Sequence, residues 1–456
     1  MRVHESSTGS SARTLKLLAT ALLSAVMLVS AVSPVGARPH QPARDRQDSW
    51  VGTWASASSH GDTEHDFSGR TLRMVLHTSV GGRAARVRLS NAFNERAQVV
   101  DHVTVALAAN PHADRRKQRR GHPAAAVPGS VREVTFNSSG RTVVPAHARV
   151  VSDPVAMAVP ADSDLLVSIH LAEQRGPATA HALARQTSYV SGPGDHTAAE
   201  SAESYTATVN SWFYVDGLDV LGRGARGAVV ALGDSITDGY GSTEGANHRW
   251  PDFLADRLRH QPPWRRLGVL NAGISGNRIL LDSQPGYSFG PNAVSRTGRD
   301  VLAQTGARTV VLFEGINDIQ QLPHQDDPNR IIAGMRQIIR QAHGAGLRVV
   351  GGTLTPFQGW ESYTPELERT RQAVNEWIRA GGAFDAVVDF DAAVRDPDNP
   401  HRLLPAYDSG DHLHPNDAGY RVMAGAVDLA ELVGPGARSE FPPRGPNDEE
   451  LRPARP

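Results

Sequence analysis

The arrangement of apolar and polar residues divides the chain into two stretches with different periodicity. In the first stretch, short segments alternate apolar and polar positions and are separated by Gly, Pro, Asn and Ser, which is typical of half-buried β-strands. These segments are "TLRMVLHTSV", "ARVRLSN", "DHVTVALA", "REVTFN", "ARVVSDPVAMAVP" and "DLLVSIHLA". Many short strands of this kind predict an all-β sandwich domain over residues 50–221.

The second stretch alternates continuous apolar runs with segments of helical spacing. The runs "AVVALGDS", "LGVLNAGISG", "ARTVVLFEGIND" and "LRVVGGTLTP" each end in a polar, glycine-containing turn. Between them, "RWPDFLADRLR", "RIIAGMRQIIRQAHG" and "ELERTRQAVNEWIRA" have helical spacing. Buried strands that alternate with helices predict a parallel sheet covered on both faces. With a last strand "AVVDF" and a helix after Pro415, this α/β domain occupies residues 222–434.

The two ends of the chain differ from both predicted domains. Basic residues precede the apolar stretch Leu17–Val32, and the small residues of "VGA" follow it, as in an export signal. We expect a signal peptide over residues 1–37, a polar linker over 38–49, and a secreted, extracellular protein without stable membrane insertion. The alternative is a retained membrane anchor, for which the apolar run is short. Residues 435–456, rich in Pro, Gly and charge, predict a disordered tail.

Charge and cysteine content narrow the classes of partner and of chemistry. The chain of 456 residues carries 47 Lys and Arg against 48 Asp and Glu, which gives no overall field for nucleic acid or an anionic membrane. A basic stretch at residues 112–122 predicts a solvated loop. Because cysteine is absent, the chain has neither a disulfide framework nor a thiolate metal site nor a cysteine nucleophile. We expect a small-molecule or polysaccharide partner, no nucleic acid, and make no prediction of oligomeric state.

Polar residues follow three of the predicted parallel strands. Ser235 follows the first strand, Gly273 and Asn277 follow the second, and Asn317 and Asp318 follow the third. In sheets of this kind ligands bind at the carboxyl ends of the strands, where the loops meet. The sequence therefore predicts one site built from all three loops.

A fourth segment, "DSGDHLHPNDAGY", precedes the last helix and contributes an acid and an imidazole. Asp411 and His414 lie three residues apart in a tight turn, and Pro415 suits the first position of the following helix. A carboxylate that orients one ring nitrogen leaves the other free to act as a general base. A metal site built from Asp411, His412 and His414 is the alternative, but the other loops supply mainly neutral groups.

Ser235 lies in "ALGDSITDGYG" and could be a helix cap, part of a phosphate-binding loop or a nucleophile. No phosphate-binding or dinucleotide-binding glycine motif follows the first strand. A serine nucleophile needs donors directed at the developing oxyanion. The N–H of Ser235, the N–H of Gly273 and the side-chain amide of Asn317 could supply them, although each residue alone is also explained as a cap or turn former. Asp234 is expected to fix the turn by accepting backbone N–H groups.

Taken in order, the four segments "GDSITDG", "NAGISGNR", "GIND" and "DHLHP" resemble the four sequence blocks of the SGNH hydrolases, also called GDSL-type esterases and lipases. Isoleucine replaces leucine in the first block. The resemblance spans about residues 228–433 and implies a flavodoxin-like three-layer α/β/α domain. The strand-rich region resembles that of secreted two-domain actinobacterial members through "WVGTWA", "HTSVGG" and "RVRLSN".

The resemblance also implies roles for individual residues. Ser235 would be the nucleophile, His414 the base and Asp411 its orienting acid. The oxyanion donors would be Ser235, Gly273 and Asn317. No metal or organic cofactor is implied.

These features predict a secreted serine esterase that acts through an acyl-enzyme. Hydrogen-bonding residues occur in the loop that follows the second strand: Asn277, Asp282, Ser283 and Gln284. A polar rim gains little from a long alkyl chain, so we expect short-chain acyl esters, such as acetylated carbohydrate. The alternatives are a secreted lipase or phospholipase and a non-catalytic glycan-binding protein on a hydrolase fold.

Overall fold

The computed structural model describes residues 48–109 and 122–434. The predicted signal peptide and tail, nearly all of the predicted linker, and all but the last residue of the basic stretch 112–122 lie outside the described residues.

The first part of the described chain forms antiparallel sheets. Its strands are β1 (Ser49–Ala55), β2 (His60–Asp62), β3 (Arg70–Thr78), β4 (Gly82–Ser90), β5 (Gln98–Val100), β6 (His102–Leu107), β7 (Arg132–Glu133), β8 (Thr142–Val144), β9 (Arg149–Val151), β10 (Val155–Val159), β11 (Ser163–Leu171), β12 (Ala178–His181), β13 (Ser188–Pro193), β14 (Tyr205–Val209), β15 (Trp212–Phe213) and β16 (Val215–Gly222). One sheet has the order β1-β16-β4-β10, with β9 also paired to β4, and another has the order β14-β13-β3-β11-β6-β7. Smaller sheets join β15-β12-β2 and β5-β8.

Alternating side chains on these strands enter different apolar clusters, as the twofold period of a strand requires. On β3, Leu72, Met74 and Leu76 belong to the main core, whereas Val75 belongs to a second, smaller cluster. The predicted strand-rich region is thus confirmed. One predicted segment, "ARVVSDPVAMAVP", is divided into β9 and β10 around Pro154, which has no N–H to donate to a ladder.

The second part of the described chain contains the predicted parallel sheet. Its strands are β17 (Gly227–Gly233), β18 (Leu267–Gly273), β19 (Ala307–Phe313), β20 (Arg348–Gly352) and β21 (Ala386–Val388). They pair in the order β18-β17-β19-β20-β21, and every pair is parallel. In this doubly wound order the chain reverses direction across the sheet between β17 and β19, which is where such sheets bind ligands. The predicted α/β fold is confirmed.

Helices lie between these strands and after the last one. They are α1 (Ser235–Asp238), α2 (Trp250–Arg259), α3 (Ala293–Thr297), α4 (Ile316–Gln320), α5 (Pro328–Gly344), α6 (Pro365–Ala380), α7 (Phe390–Val394), α8 (Asp417–Ala426) and α9 (Leu429–Val433), with a π-helical turn at Gly298–Leu302. The longer helices α2, α5 and α6 each bury one face. The longest, α5, begins at Pro328, and the Asp327 side chain caps it by accepting from the N–H of Asn329. Within the described residues no helix combines the length and apolar composition that crossing a bilayer requires.

The strand-rich region and the α/β region share one apolar core. The N–H of Gly52 on β1 donates to the carbonyl of Thr305 over 2.9 Å, and the N–H of Val269 on β18 donates to Ser79 Oγ over 3.0 Å. A Cβ atom at Gly268 would lie only 2.2 Å from the Gly52 carbonyl oxygen, so glycine permits this close approach. The domain boundaries at 50–221 and 222–434 stay a prediction.

Candidate active site

Ser235 lies on a tight turn at the carboxyl end of β17. It is the first residue of α1, and the preceding Asp234 caps that helix by accepting from the N–H of Ile236 over 3.0 Å. A Cβ atom at Gly233 would lie 2.2 Å from Thr237 Oγ1, so glycine is required for the chain to turn here. The hydrogen bond from the Ile236 N–H to Asp234 agrees with the expected role of Asp234 in fixing the turn. Burial of the carboxyl group raises the pKa of Asp234 to about 7.

Three of the predicted side chains form a continuous chain of hydrogen bonds. Ser235 Oγ lies 2.8 Å from His414 Nε2, and His414 Nδ1 lies 2.7 Å from Asp411 Oδ2. Because a carboxylate only accepts, Nδ1 carries the hydrogen of the neutral ring and Nε2 accepts from the serine hydroxyl. This is the tautomer that a general base toward Ser235 requires.

Asp411 is held by its own turn. Its Oδ1 atom accepts from the backbone N–H groups of Leu413 at 3.0 Å and His414 at 2.8 Å. Burial opposes the charge, but the hydrogen bonds from the ring and backbone of His414 and from Leu413 hold the pKa of Asp411 well below its usual range. The carboxylate that orients His414 is therefore ionised at neutral pH.

Two aromatic side chains flank the imidazole of His414. The ring centroid of Tyr240 lies 4.3 Å from that of His414, and the Trp360 ring approaches it edge-on at 6.0 Å. Ser235 and His414 are each only 6% exposed. The packing fixes the imidazole next to the hydroxyl while leaving a narrow access to it.

Asn317 lies in α4, at the end of the strand next to β17. Its Nδ2 donates to the carbonyl of Asn277 over 2.9 Å, and its Oδ1 accepts from Gln320 Nε2 over 2.7 Å. These two bonds fix the orientation of the amide, and the described residues provide no acceptor for its second N–H. The described residues likewise offer no acceptor to the backbone N–H of Ser235. Both groups suit the role predicted for them.

Gly273 does not have the role that its position in the sequence predicts. Its N–H donates over 2.8 Å to Asn271 Oδ1, whose Nδ2 donates in turn to the carbonyl of Thr237. A Cβ atom at Gly273 would lie 2.3 Å from the backbone nitrogen of Asp238. The glycine thus lets β18 approach α1, and its N–H is committed to that contact rather than to a ligand.

Gly276, three residues further along the loop, is the residue that sequence reasoning missed. It has a φ of 76°, in the left-handed region that favours glycine, and its carbonyl accepts from Gln321 Nε2 over 3.0 Å. No acceptor for its N–H is present among the described residues. The sequence signal for Gly276 was its place as the second glycine of "NAGISGNR", because a turn with positive φ would expose the Gly276 N–H at the strand end.

Other candidates from the sequence support the framework instead. Both carboxylate oxygens of Asp318 accept backbone N–H groups, from Ile279 at 2.7 Å and Leu280 at 3.0 Å. Burial raises the pKa of Asp318 to about 6. His412 Nδ1 lies 2.6 Å from Asp408 Oδ2, outside the hydrogen-bonded chain of Ser235. Across residues 48–109 and 122–434, no three His, Asp or Glu side chains are grouped so as to hold a metal ion.

A buried arginine, not anticipated from the sequence, ties the strand ends together. Arg296 on α3 donates to the carbonyl of Gly233 at 2.9 Å, to that of Ala272 at 2.7 Å and to Asn277 Oδ1 at 2.8 Å. Its side chain is fully buried, and Asp300 lies 3.3 Å from it. The Arg296 guanidinium group therefore links the carboxyl ends of β17 and β18 directly behind the turn that carries Ser235.

A cleft of roughly 820 Å³ lies next to the hydrogen-bonded residues Ser235 and His414. Trp360, which contacts the His414 ring, lines the cleft together with Gly276 and Gln320. The cleft is lined by residues of the loops after β18, β19 and β20: Gly276, Arg278, Leu281, Asp282, Ser283, Gln284, Tyr287, Phe289, Gln320, Gln321, Leu322, Pro323, His324, Trp360, Glu361 and Ser362. Its volume falls within the range of small-molecule sites, about 300–1,000 Å³.

The polar residues expected to face a ligand are largely used to build the loop. Asn277 is buried and donates to the carbonyls of Phe289 and Pro291. The Asp282, Ser283 and Gln284 side chains form hydrogen bonds within the loops: Asp282 to Asn292, Ser283 to the Tyr287 carbonyl, and Gln284 to the Leu322 carbonyl. Asp282 and Gln284 nevertheless line the cleft and are exposed, so its rim still carries polar side chains.

Large apolar side chains are left exposed around the same cleft. Tyr287 is 60% exposed, Leu322 is 71% exposed and Leu281 is 43% exposed. Burial of these side chains is favourable only when an apolar group of a ligand packs on them. The cleft thus has apolar surface in addition to the polar side chains expected from the sequence.

The part of the chain that carries these residues is similar to a known protein family. Residues 231–422 match the sequence profile of the GDSL-like Lipase/Acylhydrolase family. The α/β region is a GDSL-like lipase/acylhydrolase domain. The GDSL domain makes the protein a carboxylic ester hydrolase. A search of curated protein sequences gave no match.

Several solved structures are similar to the GDSL domain. A GDSL-like lipase from Bacteroides thetaiotaomicron is 22% identical, with 43% of this chain and 84% of that chain covered and a TM-score of 0.33. A carbohydrate acetylesterase from Sinorhizobium meliloti is 18% identical, with 44% and 95% covered and a TM-score of 0.32. An aryl esterase from M. smegmatis is 20% identical, with 44% and 95% covered and a TM-score of 0.32.

Proposed function

We propose that the protein hydrolyses carboxylic esters with Ser235 as nucleophile, His414 as general base and Asp411 as the acid that orients it. The observation that carries this proposal is the pair of consecutive hydrogen bonds, 2.8 Å from Ser235 to His414 and 2.7 Å from His414 to Asp411. The secreted location expected from residues 1–37 belongs to the same proposal.

In the first half of the reaction, Ser235 Oγ attacks the ester carbonyl carbon while His414 Nε2 takes the hydroxyl proton. The ionised Asp411 stabilises the imidazolium that forms. Negative charge develops on the former carbonyl oxygen, and we assign its stabilisation to the N–H groups of Ser235 and Gly276 and to the amide of Asn317. These N–H groups need no rearrangement, because the described residues leave them without another acceptor.

In the second half, His414 returns the proton to the leaving alcohol as the tetrahedral intermediate collapses to an acyl-enzyme. Water then enters, His414 takes a proton from it, and the hydroxide attacks the acyl carbonyl. The carboxylic acid leaves, and Ser235 recovers its proton from His414. The same three side chains therefore serve both steps without any further reagent.

Replacement of the nucleophile tests this assignment. Ser235→Ala should lower kcat for an aryl acetate by about 10⁵- to 10⁶-fold, as expected when the nucleophile of such a group is removed. The control is Ser242→Ala, because Ser242 is also buried and donates to the Gly239 carbonyl within the same loop. Turnover by Ser235→Ala within about tenfold of the wild type would overturn the proposal.

The cleft favours a second candidate for the substrate. We propose that an apolar acyl chain or aryl group packs on Leu281, Tyr287 and Leu322 beside the reacting carbonyl. The proposal is supported by the exposure of these three side chains and by the Trp360 edge that joins the cleft to His414. An acetyl group would leave most of this surface uncovered, so this proposal competes with the short-chain esters expected from the sequence.

A chain-length series of p-nitrophenyl esters, assayed below micelle-forming concentrations, separates the two substrates. Each buried methylene gains about 0.8 kcal/mol, so kcat/KM should rise by up to about fourfold per methylene while the chain lies in the cleft. Leu322→Ser should reduce the increase in kcat/KM with chain length. The control is Val387→Ser, which should not, because Val387 is an exposed apolar residue on β21. A fall in kcat/KM from acetyl onward would instead favour short acyl esters such as acetylated carbohydrate.

A further inference from the structure

A second histidine–aspartate pair lies behind the nucleophile turn. His181 ends β12 in the strand-rich region, is 3% exposed, and points its Nε2 at Asp238 Oδ1 over 2.9 Å. Its Nδ1 lies 2.7 Å from the carbonyl oxygen of Ala57. A second carbonyl, of Leu183, lies 3.1 Å from Nε2. Because carbonyl oxygens only accept, both ring nitrogens carry hydrogen, and the ring is an imidazolium.

Asp238 connects this imidazolium to the active site. It is the last residue of α1, three positions after Ser235, and is 3% exposed. While Oδ1 faces His181, Oδ2 accepts from the backbone N–H of Ser275 at 2.9 Å and from its hydroxyl at 2.7 Å. The backbone N–H of Asp238 donates to the carbonyl of Asp234 in the nucleophile turn at 2.8 Å.

Ser275 stands next to one of the assigned oxyanion donors. The residue that follows it is Gly276, whose N–H direction depends on the path of this turn. Hydrogen bonds therefore run without a break from the Ala57 carbonyl through His181 and Asp238 to Ser275. His181, in the strand-rich region, is thereby linked through Asp238 and Ser275 to the turn that contains Gly276.

We propose that His181 is a positioning residue of the esterase, which holds Asp238 as a buried carboxylate so that Asp238 fixes α1 and the Ser275–Gly276 turn. This inference rests on the proposed function, because the positioned groups are the nucleophile and its oxyanion donors. A buried carboxylate without a compensating charge is strongly destabilised. Without His181, the Asp238 carboxylate would lose the cation it faces, and its contacts with Ser275 would weaken.

The main test is His181→Gln, which retains one donor but no charge. We expect kcat for an aryl ester to fall about 10- to 100-fold with KM changed less than about threefold, because a misplaced catalytic group lowers turnover more than binding. The matched control is His170→Gln, on β11 of the same region, where His170 Nδ1 contacts the Arg70 carbonyl at 3.0 Å. That variant should leave kcat unchanged.

A double substitution distinguishes positioning from general destabilisation. Ser275→Ala removes the hydroxyl contact with Asp238 and should also lower kcat at unchanged KM. If both residues act through Asp238, His181→Gln combined with Ser275→Ala should lower kcat by clearly less than the product of the single effects. Multiplicative effects would overturn the proposal, as would a lower melting temperature with unchanged kcat in His181→Gln.

The outcomes also separate this inference from the proposed function. An inactive Ser235→Ala together with a fully active His181→Gln would leave the ester hydrolase mechanism intact and reject the positioning role. An active Ser235→Ala would reject the mechanism itself. Where His181→Gln does not fold, Ser275→Ala decides alone, because wild-type kcat in that variant would contradict the proposed chain of contacts.

Discussion

The loops at the carboxyl edge of the parallel sheet and the strand-rich region behind them each contribute one buried histidine to this site. At the sheet edge, His414 faces Asp411 on one side and the Ser235 hydroxyl on the other. His181, from the strand-rich region, faces acceptors on both sides. The partner of Nε2 decides the chemistry of each ring: opposite a hydroxyl Nε2 can act as a base, and opposite a carboxylate it can only donate.

Replacement of Asp411, the acid at the sheet edge, should cause a large loss of turnover. Asp411→Asn should lower kcat by about 10⁴-fold, since an asparagine favours the wrong tautomer of His414 and cannot stabilise the imidazolium. The matched control is Asp408→Asn, because Asp408 contacts His412 over 2.6 Å in the same segment without reaching Ser235. Steady-state kinetics of both variants check this, and equal losses would mean that the segment acts only through its fold.

Asn317→Ala should give a smaller loss. Removing one oxyanion donor costs about 10²- to 10³-fold in kcat, with little change in KM, because the donor acts mainly in the transition state. The comparison variant is Asn329→Ala at the start of α5, which is exposed and should have wild-type kinetics. Near-normal turnover by Asn317→Ala would show that its amide only shapes the turn around Asn277 and Gln320.

Asp411 and Asp234 should affect the stability of the fold in opposite ways as the pH changes. Hydrogen bonds lower the pKa of Asp411, whereas burial raises that of Asp234 to about 7 from a reference value of 3.8. Folded protein then holds the Asp234 proton more tightly than unfolded protein does, so this stabilisation is present at acid pH and is lost as the pH rises through about 7.

Asp234→Asn removes that titration and keeps an oxygen for the Ile236 N–H. The melting temperature of the wild type, measured relative to Asp234→Asn, should therefore fall by a few degrees, on the order of 2–3 kcal/mol of stability, between about pH 5 and pH 8. A difference that stays constant or grows with pH would contradict a raised pKa of Asp234. Thermal unfolding at several pH values provides the measurement.

Much of this architecture could be predicted because its signals are local. Apolar runs that end in polar turns predicted the strands of the parallel sheet, and the ends of these strands pointed to Ser235 and Asn317. The segment before the last helix pointed to Asp411 and His414. The choice of Gly273 was wrong as a donor because spacing does not reveal which N–H is already bonded. That N–H donates to Asn271 Oδ1.

The remaining features depend on contacts between distant parts of the chain. His181 meets Asp238 across 57 residues of sequence, and nothing in the pattern around either residue indicates the pair. Likewise, the loop after β18 looked polar, but Asp282, Ser283 and Gln284 bond to the loops themselves. Only the folded chain shows that apolar side chains remain exposed there.

Covalent labelling tests whether His414 and Asp411 activate Ser235. The folded protein would be treated with a fluorophosphonate and digested, and the modified peptide would be identified by mass spectrometry. We expect one phosphonyl group on Ser235, formed much more slowly in Asp411→Asn and absent after unfolding in urea. No adduct on the folded protein, or an adduct on a different serine, would contradict the account.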